Sequence, residues 1–255
     1  IFLNEKIKKH NEKILSKDKE LNERMEKIDS IHFATKDYSF DIFTNSNYLE
    51  NMNIINIKAR NLKKDNYKKK YLEDSLSDIS DNEKEAFNWL VELILKGLDK
   101  ETPLYKFINK LVYSDNSRFT VYFAKSKPWL EYNMPHTHKN IVILNDDWYS
   151  DLVLKYKDNI EKSAIINEGS TLIHELLHVQ QRINIKKFDR LFHNMGFIKA
   201  KYIHNVMDLS MRNRCNPDGI DFNWVWFDKE NNKYYLFGAI FNSENPKNLI
   251  DVSYQ

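Results

Sequence analysis

One stretch constrains this chain more than any other: His174-Glu175-Leu176-Leu177-His178, an H-E-x-x-H pattern inside a segment of helical periodicity. Ile165, Ile166, Gly169, Leu172, Ile173, Leu176 and Leu177 recur at helical spacing and are expected to form one apolar stripe. Thr171, His174, Glu175, His178 and Arg182 are expected on the opposite face, on a helix running from about 163 to 184. Residues four apart stand one turn apart on one helix face, so the two imidazoles lie together. Such a pair suits a single Zn²⁺, and the intervening Glu is placed to take a proton from a water beside it. The plain alternative is a surface helix whose two histidines hold no metal.

Composition narrows the partners. Lys plus Arg is 39 and Asp plus Glu is 37, a net charge of +2. That balance gives no general reason to expect nucleic acid or an anionic membrane. The local run from Lys63-Lys64 to Lys68-Lys69-Lys70 reads as a solvated helix face. Cys215 is the one cysteine, which excludes an internal disulfide and fits a reducing, intracellular compartment. No apolar run reaches the length of a membrane span.

The chain divides by pattern into three parts. Residues 1–30 read as a charged helical arm, with Ile7, Ile14, Leu21 and Ile28 in a narrow heptad stripe open to the chain's own domain or to a protein partner. Residues 31–115 read as mainly helical, with an irregular aromatic stretch at 31–44 and helical patterns near 48–61 and 67–76. Ser80-Asp81-Asn82-Glu83 is a capping box opening a helix that Gly97 ends, and Thr102-Pro103 starts another. In residues 116–255, Arg118 to Ala124 and Asn140 to Asn145 read as strands ahead of the motif helix. A short helix over 187–194 stops at Gly196, and Asn223–Phe227 with Lys233–Phe241 read as a hairpin. The expected fold class is α+β, a small sheet with the motif helix and a C-terminal subdomain, preceded by a helical N-terminal region.

The HELLH helix preceded by sheet strands, over roughly residues 116–255, resembles the zincin metallopeptidases. Met134-Pro135-His136-Thr137-His138, Thr171-Leu172-Ile173, Gln181-Arg182 and Asn216-Pro217-Asp218 are similar to segments of uncharacterised HExxH proteins of large DNA viruses. The resemblance implies one zinc ion held by His174 and His178, with Glu175 as general base. The third ligand departs from the familiar patterns. Asn184 stands where one zincin group has a third His, and no Glu lies between Glu175 and Glu230, where another group has its third ligand. Asp218, in the turn sequence Cys215-Asn216-Pro217-Asp218-Gly219, is the favoured third ligand, with His193, His204 and Asp189 as alternatives and Asp208 also in range. The same N-P-D-G is an ordinary turn sequence as well.

The implied activity is zinc-dependent endopeptidase action on a polypeptide. Tyr202, Tyr234, His193 and His204 are candidate donors to the oxyanion. The edge of Asn140 to Leu144 is the expected place for the substrate backbone. The competing reading is a catalytically inactive zincin-fold component of a larger assembly such as a virus particle, and a third is hydrolysis of a non-peptide amide. His136 and His138 form an i,i+2 pair that lines a cleft or, less commonly, binds a second metal. Trp224 and Trp226 read as core and groove wall.

Overall fold

A computed structural model of the chain describes residues 31–44, 48, 52–62, 74–113, 120–199, 211–218, 224–235 and 238–254. The heptad arm, the lysine run, and Tyr202, His204 and Asp208 lie outside the described residues.

The first described elements are β1 (His32–Phe33) and α1 (Lys36–Thr44). The irregular stretch expected there is therefore a strand and a helix. Next come α2 (Ile54–Ala59), β2 (Leu76–Ser77), α3 (Asp81–Lys96) and α4 (Pro103–Val112). Helices α2 and α4 begin where a short polar side chain satisfies otherwise unpaired backbone N–H groups. Asn53 Oδ1 accepts from Ile55 N and Asn56 N, and Thr102 Oγ1 accepts from Tyr105 N ahead of Pro103. The N–H of Ser80 donates to Glu83 Oε2 at 2.7 Å, as the capping-box sequence requires.

Beyond residue 120 lie β3 (Tyr122–Ser126), β4 (His136–His138), β5 (Ile141–Asn145) and α5 (Asp146–Lys157). Helix α5 is an element the sequence reading leaves unassigned. Its start was readable: Asn145 Oδ1 accepts from Trp148 N at 2.8 Å, with Asp146 and Asp147 in the first turn and Lys155 and Lys157 in the last. The expected motif helix is three joined pieces. They are α6 (Glu161–Ala164), a π-helical turn (Ile165–Gly169) and α7 (Ser170–Ile183). Then follow α8 (Ile185–Asn194) and β6 (Phe197–Lys199), separated by Gly196 at φ +92°. A side chain at Gly196 would be strained in that conformation and would meet the Trp226 indole at 3.0 Å.

The main sheet runs β1-β3-β5-β4, with β2 pairing the other end of β3. Strands β1, β3 and β5 are parallel, and β4 joins β5 antiparallel at the edge. The sheet thus draws strands from both sides of residue 115. Strand β5 is buried along its whole length, between β3 and β4, so it offers no free edge. That corrects the expectation that Asn140 to Leu144 receives a substrate strand; the outer edge belongs to β4.

Alternation along β5 explains the two cores. Val142 and Leu144 point into a core with Phe87, Leu90, Ile108, Tyr149, Leu172, Leu176 and Val179, which seats α3, α4, α5 and α7 on one face. Ile141 and Ile143 point the other way, toward Phe43, Met52, Ile57 and Leu130. Gly169 lets the motif segment approach α3, since an added Cβ there would meet the Ile94 side chain at 3.2 Å.

The C-terminal part adds β7 (Trp224–Asp228), β8 (Lys233–Tyr235), β9 (Ala239–Phe241) and β10 (Val252–Tyr254). Strands β6-β7-β8 form one antiparallel sheet, and β9 pairs with β10. The expected hairpin holds over β7 and β8, but its second strand ends early, and 239–241 belongs to a different sheet. The architecture is mixed α and β with small sheets, consistent with α+β. Among the described residues no helix is long and apolar enough to cross a membrane.

Candidate metal and carboxylate site on the motif helix

Helix α7 carries two unlike surfaces side by side. On the outer one, His174 is exposed and His178 half-buried, with their Nε2 atoms 3.0 Å apart. Gln181 Oε1 lies 3.0 Å from His178 Nδ1. A carboxamide oxygen only accepts, so Nδ1 carries the proton and Nε2 keeps its lone pair. Two Zn–N bonds of about 2.0–2.1 Å at a tetrahedral angle place their nitrogens roughly 3.3 Å apart. The spacing and the tautomer of the imidazole pair therefore fit a shared metal ion.

The third donor is a different matter. Among the described residues no group of three His, Cys, Asp or Glu side chains is arranged to hold a metal ion. Asp218, the favoured third ligand, is buried against β4, where its Oδ1 accepts from Thr137 N at 2.5 Å and from Thr137 Oγ1 at 2.8 Å. Its carboxylate is committed to a strand edge instead of to the imidazoles. Asp189 and His193 both lie on α8, and neither joins His174 and His178 in such a group. Tyr234 lies in β8.

The second surface of α7 faces β4, and Glu175 lies there. The sequence pattern places Glu175 on the polar face with the histidines. In the structure it is buried, and its Oε2 has no hydrogen-bond partner among the described residues. Its angular position explains the difference. At about 100° per residue, Glu175 falls on the flank between His178 and the buried Val179 and Leu172. The same geometry corrects the apolar stripe. Leu172, Leu176 and Val179 are buried, whereas Ile165, Ile166 and Leu177 are exposed.

Burial, then the nearby charge of Asp218, pushes the Glu175 carboxyl up to about 9, against the opposing pull of Arg182. At neutral pH Glu175 is thus an uncharged acid beside Asp218. Arg182, two turns along the helix, ties this corner together. Its guanidinium donates to Thr137 Oγ1 at 2.6 Å, Thr137 O at 3.2 Å, Lys139 O at 3.3 Å and Pro217 O at 3.0 Å. Thr137, Gln181 and Arg182 are the contributors that sequence reasoning named without assigning a role. The i,i+3 step from His178 to Gln181 and the i,i+7 step from Glu175 to Arg182 were the available signals.

His136 and His138 point from the opposite face of β4. Their rings lie against Phe43 at 6.1 and 4.2 Å, on the far side of the sheet from α7. Met134 O accepts from His136 Nδ1 at 2.9 Å, and both Nε2 atoms are buried without a hydrogen-bond partner among the described residues. Burial, reinforced by the His136 ring, holds His138 well below its ordinary value, so it is neutral. The pair cannot add ligands to His174 and His178. Cys215 is a free thiol that burial pushes up to about 11, so it is not a thiolate at neutral pH.

The turn bearing Asp218 is anchored from α2. Asn56 donates to Asn213 O at 3.0 Å, and its Oδ1 accepts from Cys215 N at 2.7 Å. Arg60, paired in the interior with Glu131 at 2.7 Å, donates to Cys215 O at 3.0 Å. Glu131 opens a run of three non-glycine residues with positive φ, Glu131, Tyr132 and Asn133. Such backbone persists where its surroundings over-determine it, here through the buried ion pair.

No family model matches this chain, and no curated protein and no solved structure matches it.

Proposed function

We propose that this chain is a metal-dependent hydrolase with a zincin-like core. More particularly, we propose a zinc metallopeptidase of the HExxH type that cleaves within polypeptides. The observation that carries the reading is the imidazole pair. Nε2 of His178 and Nε2 of His174 lie 3.0 Å apart on an accessible helix face, with Gln181 orienting the His178 ring. His174 and His178 would hold the ion, and the third donor is drawn from His193, Asp189 or His204, or from Asp218 once its carboxylate leaves Thr137. When bound, zinc supplies Lewis-acid polarisation of the scissile carbonyl and acidifies a water. Glu175 takes the proton and returns it to the leaving amine. That role needs the carboxylate form, which a nearby divalent cation favours over the neutral acid. Oxyanion donors are drawn from Tyr202, Tyr234, His193 and His204. The free thiol of Cys215 supports a reducing compartment.

A second reading is favoured by a specific observation. Glu175 is buried and uncharged, and the β4 edge beside it is already hydrogen-bonded. This supports a metal-holding but inactive zincin-fold component of a larger assembly, such as a virus particle. One experiment separates the two. Bound metal is measured on the purified protein, and cleavage of a mixed peptide library is compared between wild type and Glu175→Gln. Stoichiometric zinc with Glu175-dependent cleavage is the expected result. Zinc without cleavage supports the inactive reading, and no zinc under loading conditions sinks both.

A further inference from the structure

Strand β4 ends the main sheet, so its outward main-chain groups ought to be open to pairing. They are not. Opposite Val142 of β5, Thr137 turns its own N–H and C=O outward. The N–H is taken by the Asp218 carboxylate and the C=O by the Arg182 guanidinium. Arg182 also holds Pro217 O and Lys139 O, so the side chains of Asp218 and Arg182 take the place of a neighbouring strand. Behind this turn is a cavity of about 70 Å³ whose walls include Glu131, Met134, His136 and Cys215. The turn is therefore seated over space as well as over packed side chains, and it is anchored by the Asn56 carboxamide on residues 213 and 215 together with Arg60 on Cys215 O.

We propose that the turn Asn216-Pro217-Asp218 is an internal plug on the β4 edge, which an extended polypeptide displaces when it pairs with Thr137. The inference rests on the reading of the chain as a protein that engages polypeptides, and it adds self-occlusion of the edge beside the imidazole pair. Asn56 is a positioning residue in this scheme: it holds the plug and touches no substrate. Loosening that anchor releases the edge, so a variant weakened in its internal contacts gains polypeptide binding.

The test uses the full chain in EDTA, so that binding is read without cleavage. Fluorescein-labelled, carboxymethylated casein is the extended-chain probe, followed by anisotropy. Asn56→Ala is expected to bind casein about tenfold more tightly than wild type, by removing an internal competitor. The Thr137 amide, bonded to Asp218, is expected to exchange slowly with deuterium in wild type, faster in the variant, and slowly again in saturating casein. Asn53→Asp keeps the oxygen that caps α2 and loses the amide donor to Met211 O, so it gives the same direction of change if Asn56→Ala fails to fold. Unchanged or weaker binding by a folded variant overturns the plug, as does a lack of casein binding by every variant. Tighter binding in a protein that holds no zinc keeps the plug and removes the peptidase reading. Zinc-dependent cleavage with no gain in binding does the reverse.

Discussion

His174 and Glu175 are chain neighbours on one helix, yet they occupy opposite environments. The imidazole is exposed and carries half of a metal-binding geometry, whereas the carboxyl is buried among Asp218, Arg182 and β4. The difference teaches that in this chain the H-E-x-x-H helix sets its histidines and its glutamate in different surroundings. A step of one residue rotates a side chain by about 100°, enough to cross from solvent to the seam with the sheet. The histidines are four apart and share an environment; the glutamate is shared between that face and the core.

The largest effect that would sharpen this contrast is expected at Glu175. Glu175→Gln should lower peptide cleavage by about 10²–10⁴-fold, the usual range for a general base. The same variant should be more stable than wild type at neutral to alkaline pH. The folded state keeps the Glu175 proton up to about 9, while the ordinary value is 4.5. Between those values the folded state binds more protons than the unfolded one, so wild-type stability falls as pH rises. Gln does not ionise, and the gap should widen by up to about 1.4 kcal/mol per pH unit. Thermal unfolding across that window checks it, and parallel curves for the two proteins would break the contrast.

Next in size is Leu176→Ala, on the buried flank. It should cost about 2–5 kcal/mol in chemical denaturation, because it opens a cavity between α7 and the sheet. Gln181→Ala acts on the exposed side. Loss of the oxygen that orients His178 should weaken zinc binding by about 10–100-fold in competition with a chelator, with little change in stability. The smallest effect is expected for Leu177→Ala. Leu177 is 41% exposed, and its truncation should stay within about 0.5 kcal/mol. Equal costs at Leu176 and Leu177 would mean that α7 is rotated relative to the sheet.

Much of the helical framework was legible from local chemistry. The Ser80–Glu83 box and the Thr102-Pro103 start lie within four residues of the backbone groups they serve. The β-branched run at 141–144 marks a buried strand in the same way. Helix α5 carries an equally local signal, with Asn145, Asp146 and Asp147 in capping order. The π turn ahead of α7 was not readable, because it goes with tertiary contacts, among them Glu168 with Lys155 and the close approach of Gly169 to Ile94. The 233–241 strand looked continuous from composition, and only the pairing of 239–241 with 252–254 divides it.

By itself the sequence determined the secondary-structure class, the helix that carries His174 and His178, and the fact that their side chains lie together, since all of these depend on contacts a few residues apart. Tertiary structure alone decided that Glu175 is buried, that Asp218 serves Thr137, and that Arg182 and Asn56 organise the corner between them. Those relations join groups separated by 43 residues (Glu175 to Asp218), 81 (Thr137 to Asp218) and 157 (Asn56 to Asn213). Short-range spacing carries no information about which distant groups will meet, because that is set by how the sheet and helices bury their apolar faces against one another.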